Sequence, residues 1–557
     1  MLRDFIVALS LSNLWFLDVW RPFLVRHFTS YPYYHWKANP APILLATMLD
    51  VLVLSAVLWL AISIARRPGK ESLLKIARFV FVLIFLLVAV NILVLAVRNP
   101  PLRPILSSVI KRPKTLFEWG GINTAYSWLS VLAVLLGGSG LAVALHSLIF
   151  RRQWLIKMSV TFLLITSPFI LITFAQAGTQ WLQYRTGEAF RESAAPRFSG
   201  EGRTSRRVLW LIFDELDLRL AFTDRPTSLE LPVFDQLRQE SIFAQNAYPP
   251  GTDTETSIPA LINGQLVSRI NRTTPNELML TLQSNKQVVG WSTQPNVFSR
   301  AREINLNSGL VGWYHPYCRI IGNSLTECSW EAASLLVQRN SQISDLIAHS
   351  NQVSLLRTMT SVARSLLLHE LVRIVFPGED PSIWRQHIVE EFKSIHQKSL
   401  EAAVDPALHL IFIHYPIPHP PGLYNRSLKE FSFSSQSGYL DNLALADRVL
   451  RELRDEMEKA QLWDSTTVLI SSDHSLRADL WRQHPFWDPS FTNEDPIVRN
   501  STLEGRVPFI LKLAGESEGL IYEPAFNTVL SQGLLLAVLS GEVSRNQEVI
   551  NWLDRHR

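Results

Sequence analysis

The sequence predicts an N-terminal transmembrane α-helical bundle followed by an α/β sandwich domain with a mainly parallel sheet. Long apolar runs dominate the chain up to about residue 176, and an ordinary globular composition follows. Short runs rich in branched apolar residues then alternate with helical segments, which is typical of a parallel sheet covered by helices. Several of these runs lead into an acidic residue or a histidine, as expected where a site lies beyond the carboxyl ends of strands.

Four apolar runs are long enough to span a bilayer. They lie at residues 43–65, 79–97, 126–150 and 158–175. A buried helix of a soluble protein could explain any one of them, but four runs separated by charged loops favour a transmembrane domain at 1–176. A fifth candidate at 5–23 is short and contains Asn13 and Asp18, so it either spans the membrane or lies at its interface.

The charges of the short loops predict the orientation. The loops 66–78 and 151–157 are rich in arginine and lysine, and short basic loops stay in the cytoplasm. Everything after residue 176 is then outside, as a linker at 177–206 and an extracytoplasmic domain at 207–557. We expect an integral protein of the cell (inner) membrane, with a periplasmic domain if the source is Gram-negative. The basic residues of the loop 98–125 weaken this argument.

The charge balance argues against nucleic-acid binding. The formal net charge is +4 over 557 residues, and no dense basic segment with interleaved aromatic residues occurs. The apolar runs make the lipid bilayer the expected partner instead.

The two cysteines of the chain are Cys318 and Cys328, and both lie in the predicted external domain. A disulfide that closes this short loop is expected in an oxidising compartment. Two buried free thiols are the alternative. A zinc pair is less attractive because the sequence has no second cysteine pair.

Apolar runs predict the strands of the external domain. They lie at 208–217, 287–293, 408–416, 466–474 and 507–513. A helix is predicted at 441–461, between two of these runs. Strands that alternate with helices in this way indicate a largely parallel sheet.

Acidic residues and histidines stand where three of these runs end. They are Asp214 and Glu215 after the first run, His414 and His419 in the third, and Asp473, His474 and His484 after the fourth. Because parallel strands end at one edge of a sheet, these side chains together predict a metal site. Mixed imidazole and carboxylate ligands favour zinc or a similar transition metal. His315 and His409 belong to no such pattern and are expected to be structural.

The stretch YPPGTDTETSIPALINGQ, residues 248–265, is rich in hydroxyl side chains. Such a stretch is usually a turn or a helix cap. A metal nearby would allow a second interpretation, since coordination activates a threonine hydroxyl as a nucleophile. The run SIPALI predicts the start of a helix with a proline near its first turn.

These motifs resemble those of the alkaline phosphatase superfamily, in its sulfatase-like branch. Their order over 207–515, with membrane spans before them, is most similar to that of membrane-bound phosphoethanolamine and phosphoglycerol transferases. GTDTETSIP resembles the Gly-Thr-x-Thr-x-x-Ser-x-Pro stretch that carries the nucleophile of the phosphoethanolamine transferases. HYPIPHPP resembles their His-x4-His-x-Pro motif, and SSDH resembles their Ser-Asp-His motif.

The resemblance implies a role for each matched residue. Thr254 would be the phosphoryl acceptor and a metal ligand, and His414 would contact the substrate. The acidic ligand after the first strand would be Asp214 or Glu215, with Asp214 favoured because it stands directly at the strand end. The other implied ligands are His419, Asp473, His474 and, with a different spacing, His484. They would bind one or two Zn²⁺ ions, with Mn²⁺, Mg²⁺ or Ca²⁺ as alternatives.

The sequence also departs from the family pattern. Ser475 follows the Ser-Asp-His motif where the transferases usually have glycine, and the cysteines that flank the nucleophile in many of them are absent. Ser257-Ile-Pro-Ala-Leu partly resembles the sulfatase motif that is converted to formylglycine. Leu261 stands where that motif requires arginine, so formylglycine is not expected here.

The predicted function is that of a membrane-anchored, metal-dependent phosphotransferase. It would move a phosphoethanolamine- or phosphoglycerol-like head group from a phospholipid donor, through a phospho-threonine intermediate, to a glycan or lipid acceptor. A hydrolase with the same site is the first alternative: a phosphodiesterase, a phosphatase or a sulfatase without formylglycine. A non-catalytic membrane protein that retains the fold is the second, and it predicts eroded ligands, whereas the ligand set looks intact.

The predicted orientation can be tested with reporter fusions after Arg557. A reporter that is active only in the cytoplasm is expected to be inactive, because the loop charges place the chain after residue 176 outside. A reporter that is active only outside the cytoplasm, fused at the same point, is the matched control. Strong activity of the cytoplasmic reporter would show that the orientation is reversed.

Overall fold

The computed structural model describes residues 1–24, 33–98, 152–199, 206–332, 381–432, 438–478 and 505–557, with the isolated positions 355, 358–360 and 498. These residues form two compact units. The helical unit takes the described residues within Met1–Arg26, Ala38–Glu188 and Gln342–Glu379. The sheet unit takes those within His27–Lys37, Ala189–Ser341 and Asp380–Arg557. The domain and linker bounds drawn from composition stay predictions.

The helical unit contains long apolar helices. Its helices are α1 (Leu2–Trp15), α2 (Leu17–Leu24), α3 (Ala41–Ala65), α4 (Glu71–Arg98), α5 (Arg152–Thr166) and α6 (Pro168–Tyr184). Within the described residues, two helices, α3 and α4, are long and apolar enough to cross a membrane, and the bent pair of α5 and α6 makes a third if it counts as one span. The predicted spans 43–65 and 79–97 fall on α3 and α4. The predicted span 126–150 lies outside the described residues.

The predicted span 158–175 is not one straight helix, because α5 and α6 meet at a bend of 43°. Pro168 has no N–H to donate to the carbonyl of Leu164, one helical turn earlier. The hydroxyl of Ser167 donates to that carbonyl instead, at 2.8 Å. The bend therefore follows from the Ser-Pro pair, and the side-chain hydrogen bond satisfies the freed carbonyl.

The candidate span at 5–23 extends along the helical unit. Arg66, after the end of α3, binds the carboxylate of Asp4 with two N–H groups, at 2.5 and 2.9 Å. At the other end of the unit, Gln180 donates to the carbonyl of Phe23 at 3.1 Å. Together, α1 and α2 thus run from the end of α3 to the end of α6. Whether they cross a membrane stays a prediction.

The strands of the sheet unit are short apart from β1, β4, β9 and β12. They are β1 (Arg207–Asp214), β2 (Ile242–Ala244), β3 (Ala247–Tyr248), β4 (Val267–Thr274), β5 (Glu277–Leu282), β6 (Val288–Gly290), β7 (Ser308–Trp313), β8 (Glu327–Glu331), β9 (Leu410–Pro418), β10 (Tyr424–Asn425), β11 (Glu430–Phe431), β12 (Thr466–Ser472), β13 (Phe509–Lys512), β14 (Leu520–Tyr522) and β15 (Phe526–Asn527). The main sheet has eight strands in the order β14-β2-β13-β12-β1-β9-β7-β8. The strands from β12 to β8 are parallel, and β13 is antiparallel to both of its neighbours.

Helices cover both faces of this sheet. They are α7 (Pro232–Glu240), α8 (Thr254–Asn263), α9 (Val297–Glu303), α10 (Tyr317–Ile320), α11 (Pro381–Val404), α12 (Tyr439–Lys459), α13 (Ser531–Ser540) and α14 (Asn546–His556). Along β1, Leu209, Leu211 and Phe213 enter one apolar core with residues of α7, α11 and α12. The alternate residues of β1 enter a second core with residues of α8, α9, α13 and α14. Burial on both faces explains the continuous apolar run of β1, and the predicted fold class is confirmed.

One strand prediction was wrong, and β7 of the main sheet was not predicted. The run 287–293 is not a buried parallel strand; it forms β6, the edge of a small antiparallel sheet, where Val288 is 62% exposed. Its two valines are followed at once by Gly290 and a short 3₁₀-helix at Trp291–Thr293, so the run is too short to cross the main sheet. Strand β7, which lies next to the edge strand β8, was missed because its sequence, SGLVGW, contains two glycines. Gly312 is required there, since a Cβ would lie 2.3 Å from the ring of Tyr317.

The predicted disulfide is present. Cys318 and Cys328 are bonded, with their Cα atoms 5.6 Å apart, and neither thiol is free. The bond joins α10 to β8, the edge strand of the main sheet. The alternative of two free thiols is therefore wrong.

Candidate metal centre and active site

The ends of two neighbouring parallel strands build the centre of the candidate site. Asp214 is the last residue of β1, and Asp473 and His474 directly follow β12. Phe213 pairs with Ser472 in the register of these strands, which places the two aspartates side by side. All three side chains are buried. Their proximity thus follows from parallel pairing without a register shift.

These three residues, here called the acidic trio, offer ligand atoms that all lie within 4.8 Å of one another. His474 Nε2 lies 3.5 Å from Asp214 Oδ1 and 3.4 Å from Asp473 Oδ2. Both carboxylate oxygens are buried and have no hydrogen-bond partner among the described residues. A buried oxygen without a partner is costly, and a cation between these atoms would satisfy both. The trio therefore fits a metal ion.

The protonation states also favour a metal. Burial raises the pKa of Asp214 well above its usual value, and the charges of Asp473 and Glu215 raise it further. Burial likewise raises the pKa of Asp473 and lowers the pKa of His474 to about 4. His474 is then neutral at pH 7. Its Nδ1–H donates to the carbonyl of Ser475 at 3.0 Å, which leaves the lone pair of Nε2 free to bind a metal.

Thr254 stands at the trio, as the first residue of α8. Its Oγ1 lies 3.4 Å from Asp214 Oδ2 and 3.3 Å from His474 Nε2. Asp253 caps the helix by accepting from the N–H of Thr256 at 2.9 Å. The helix therefore begins at Thr254 rather than in SIPALI, and Pro259 lies inside it instead of in its first turn. The positive end of the helix dipole faces the trio, where it favours an anion.

Gly251 is needed for this arrangement. A Cβ at this position would lie 2.5 Å from Thr256 Oγ1 and 2.8 Å from Ser257 Oγ. The loop before α8 thus passes close over the first turn of the helix. Ser257 is fully buried under this loop and lies one helical turn away from Thr254.

The two histidines predicted from the third run lie outside the acidic trio. His414 is inside β9 and pairs with Ile212 rather than standing at the strand end. Its Nδ1 is bound by the hydroxyl of Tyr317 at 3.0 Å and the carbonyl of Trp313 at 3.1 Å, and burial lowers its pKa to about 4. His419 Nδ1 donates to the carbonyl of Pro420 at 2.5 Å, and its backbone N–H donates to the carbonyl of Asp214 at 3.0 Å.

The carboxylate of Glu215 pairs with an arginine. The residue has φ of +63°, and its carboxylate accepts from Arg477 Nε at 2.7 Å. The hydroxyl of Tyr439 donates to its carbonyl at 2.5 Å. Of the two acidic residues after β1, the structure thus brings Asp214 into the trio and pairs Glu215 with Arg477. His484 lies outside the described residues.

Sequence reasoning missed three residues that support the site. Ser472 donates to the carbonyl of Phe213 at 2.7 Å and so ties the ends of β1 and β12 together. Arg477 holds Glu215, and its position shortly after the SSDH motif is the only sequence signal for it. His315 was expected to be structural, and its contact with the site was not foreseen: its Nε2 lies 3.3 Å from the backbone carbonyl oxygen of Thr254. No spacing rule could connect positions 254 and 315, because tertiary packing alone brings them together.

Comparison with known proteins identifies a family. The sequence profile of the sulfatase family matches residues 206–489, which includes the acidic trio and Thr254. A search of curated protein sequences found no significant match.

Several solved structures align with the chain at low identity. A phosphonate monoester hydrolase of Agrobacterium radiobacter is 11% identical over 60% of this chain and 74% of that one, with a TM-score of 0.37. A sulfatase from a Pseudoalteromonas species is 13% identical over 66% and 73%, with a TM-score of 0.38. A protein of the alkaline phosphatase superfamily from Vibrio parahaemolyticus is 13% identical over 62% and 69%, with a TM-score of 0.34.

We predict that chelation destabilises the protein more at pH 8 than at pH 5. The raised pKa values of Asp214 and Asp473 mean that the folded chelated protein keeps protons on these carboxyls to a higher pH than the unfolded chain does. The stability that these protons give is present at low pH and lost as the pH rises through the raised pKa values. A cation replaces the protons at high pH and competes with them at low pH. Thermal unfolding of the full chain in detergent, with and without EDTA at both pH values, measures the difference.

The pKa values near 4 of His414 and His474 keep both rings neutral in the folded protein over this pH range. They therefore contribute equally with and without EDTA and do not change the EDTA effect. Asp473→Asn removes one carboxylate of the trio and should make the effect of EDTA smaller and less dependent on pH. An EDTA effect that is equal at the two pH values, or larger at pH 5, would contradict the metal centre.

Proposed function

Because this chain belongs to the sulfatase family, we propose that it is a membrane-anchored, metal-dependent phosphotransferase in which Thr254 receives the phosphoryl group. The observation that carries this proposal is the position of the Thr254 hydroxyl, 3.4 Å from Asp214 Oδ2 and 3.3 Å from His474 Nε2. The chain is an enzyme of the sulfatase-like superfamily, and α3 and α4 are consistent with a membrane anchor. The reaction and the substrates are our proposal.

In the first step of the proposed reaction, the phosphoryl group is transferred to Thr254. The hydroxyl of Thr254 lies 3.4 Å from Asp214 Oδ2, so its proton can pass to that carboxylate as the Oγ1–P bond forms. The bond between phosphorus and the leaving lipid alcohol breaks in the same step, and the alcohol leaves with a proton from solvent. The positive end of α8 stabilises the phosphoryl oxygens. A divalent cation held by the trio would add Lewis-acid polarisation of those oxygens.

The second step returns the enzyme to its starting state. A hydroxyl of the acceptor attacks the phosphorus of phospho-Thr254, and the Oγ1–P bond breaks. Asp214 gives its proton back to Oγ1, and the acceptor loses its own proton to solvent. His414 Nδ1 faces the carbonyl of Trp313, which can only accept, so the proton lies on Nδ1 and Nε2 is left as an acceptor. Nε2 is buried without a partner among the described residues and suits a donor group of the substrate.

The nucleophile argues for phosphoryl transfer rather than formylglycine chemistry. Threonine cannot form the formylglycine of sulfatases, and Leu261 lacks the arginine of their motif. Ser257, the serine of that partial motif, is buried in α8 under the loop at Gly251. A hydrolase with the same residues, with water as the acceptor, is the remaining candidate, because none of the site residues that the structure describes specifies the acceptor. The non-catalytic alternative predicted eroded ligands, whereas the trio and Thr254 stand together.

The donor and the compartment complete the proposal. We propose a phospholipid with a phosphoethanolamine- or phosphoglycerol-like head group as the donor, and a glycan or lipid outside the cytoplasm as the acceptor. The apolar helices α3 and α4 would keep the enzyme at a lipid surface, and the disulfide favours an oxidising compartment. Zinc is the proposed metal, as one or two ions, because the trio mixes imidazole with carboxylates.

We predict that Thr254→Ala lowers turnover at least about a thousandfold, because a nucleophile acts as a unit with the groups around it. Ser257→Ala and Thr256→Ala are the matched controls in the same helical turn. Thr256 supports only the helix cap, so its loss should cost about 1 kcal/mol of stability and little turnover. Release of the lipid alcohol from phosphatidylethanolamine by the full chain measures the rates. Near-normal activity of Thr254→Ala with an inactive Ser257→Ala would make Ser257 the nucleophile.

A mass measurement separates the transferase from the hydrolase. After incubation with phosphatidylethanolamine, the peptide that contains Thr254 should gain the mass of phosphoethanolamine. Loss of this mass on addition of an acceptor glycan or lipid, with the group found on the acceptor, is the outcome for a transferase. Equally fast loss in water alone, with free phosphoethanolamine as the product, identifies a hydrolase.

A further inference from the structure

A short segment from the N-terminal part of the chain belongs to the sheet unit. Residues Tyr33–Lys37 lie in sequence between α2 and α3, yet they group with the sheet unit rather than with the helices. Tyr34 is fully buried there, and Tyr33 and Trp36 are nearly so. The segment is therefore part of the core of the sheet unit.

A buried arginine fixes the backbone of this segment. Arg319 donates to the carbonyl of Tyr34 at 2.5 Å and to the carbonyl of Trp36 at 2.7 Å. The guanidinium also lies over the ring of Trp330, 5.1 Å from its centroid. Arg319 follows Cys318, one half of the disulfide. A buried guanidinium needs acceptors, and the segment supplies two of them, so the segment and the sheet unit depend on each other.

The side chain of Tyr34 leads from this segment to Thr254. The hydroxyl of Tyr34 lies 2.8 Å from His315 Nδ1, and His315 Nε2 lies 3.3 Å from the carbonyl oxygen of Thr254. A carbonyl can only accept, so Nε2 carries the proton of the neutral ring and donates it to Thr254. Nδ1 then has a lone pair and accepts from the hydroxyl of Tyr34. The two hydrogen bonds form one chain with a defined direction.

A second set of contacts holds the next residue of α8. Glu255 is bound by Arg272 and by the hydroxyl of Tyr314. The guanidinium of Arg272 lies over the ring of Tyr34, 5.6 Å from its centroid, and His35 Nδ1 donates to the carbonyl of Tyr314 at 3.0 Å. Arg272 and Tyr314, which hold Glu255 in the first turn of α8, thus both contact the segment as well.

We propose that Tyr34 and His315 are positioning residues that hold the first turn of α8, and with it the hydroxyl of Thr254, at the acidic trio. The segment Tyr33–Lys37 then completes the active site although it belongs to no catalytic motif. A sheet unit produced without the N-terminal part of the chain would lack this support. The role in turnover rests on the proposed function, whereas the role in holding α8 does not.

Hydrogen exchange in the full chain tests the structural role directly. Tyr34→Phe keeps the buried ring under Arg272 and removes only the hydroxyl. Exchange of the amides in a peptide that covers residues 248–263 should become roughly fivefold faster, which corresponds to the loss of one hydrogen bond. Lys37→Ala is the matched control in the same segment, because the amine of Lys37 pairs with Glu331 at 2.7 Å and lies 5.7 Å from the centroid of the Trp330 ring, and it takes no part in the chain of hydrogen bonds from Tyr34 to Thr254. It should leave this exchange unchanged.

A conservative variant tests the proposed direction of the chain. His315→Gln keeps a side-chain N–H that can donate to the carbonyl of Thr254, and it should exchange more slowly at 248–263 than His315→Ala does. Equal exchange in Tyr34→Phe and in Lys37→Ala would overturn the proposal, because the hydroxyl would then have no role at α8. Equal exchange in His315→Gln and His315→Ala would overturn it as well.

Measurements of kcat and KM distinguish a role of Tyr34 in positioning Thr254 from a role in the general stability of the protein. With phosphatidylethanolamine as the probe, Tyr34→Phe should lower kcat severalfold with KM and zinc content unchanged, whereas Lys37→Ala should change none of the three. A kcat equal to that of the unchanged protein, despite faster exchange, would overturn the catalytic part of the inference. If the unchanged protein neither turns over the lipid nor gains mass at Thr254, the proposed function fails, and the exchange result still decides whether Tyr34 and His315 hold α8.

Discussion

The parallel pairing of β1 with β12 places two buried carboxylates against each other, and the rest of the site is arranged around that pair. Asp214 and Asp473 follow paired residues of adjacent strands, so neither can move away without loss of the central strand pairing. Burial of like charges in close contact is strongly unfavourable unless protons or a cation neutralise them. The neutral ring of His474 and the positive end of α8 meet at the same place. The fold thus brings two buried carboxylates into repulsive contact, and a bound cation would neutralise that repulsion.

Four of the eight strands of the main sheet, β1, β9, β12 and β13, and the centre of the site could be predicted from local sequence. The runs that became β1, β9 and β12 are continuous and apolar because both faces of the sheet are covered, and parallel strands must end at one edge. This is why the sequence alone could predict that Asp214, Asp473 and His474 lie close together. The same reasoning failed for β7, where packing against Tyr317 requires a glycine that lowers strand propensity, and for 287–293, where composition alone could not reveal an edge strand.

The finer assignments depend on contacts that no local pattern encodes. Glu215 directly follows Asp214, and both are acidic, so only the left-handed backbone at Glu215 and the partner Arg477 separate their roles. His414 matches the first histidine of the His-x4-His-x-Pro motif. It nevertheless lies within β9, where its Nδ1 contacts the hydroxyl of Tyr317 and the carbonyl of Trp313. Tyr34 and His315 come from regions far apart in sequence. The sequence predicts where strands end far better than it predicts which way a side chain turns there.

The choice of threonine at position 254 suits its place in the fold. A β-branched side chain has few χ1 rotamers at the start of a helix, so the backbone of the first turn largely determines where Oγ1 lies. The same turn carries the positive end of the helix dipole. The proposed nucleophile and the helix end that would stabilise an anion are thereby fixed by one short piece of backbone. The hydrogen bond from His315 to the carbonyl of Thr254 acts on that backbone directly. In our proposal, His315 therefore influences the position of the Thr254 hydroxyl without touching it.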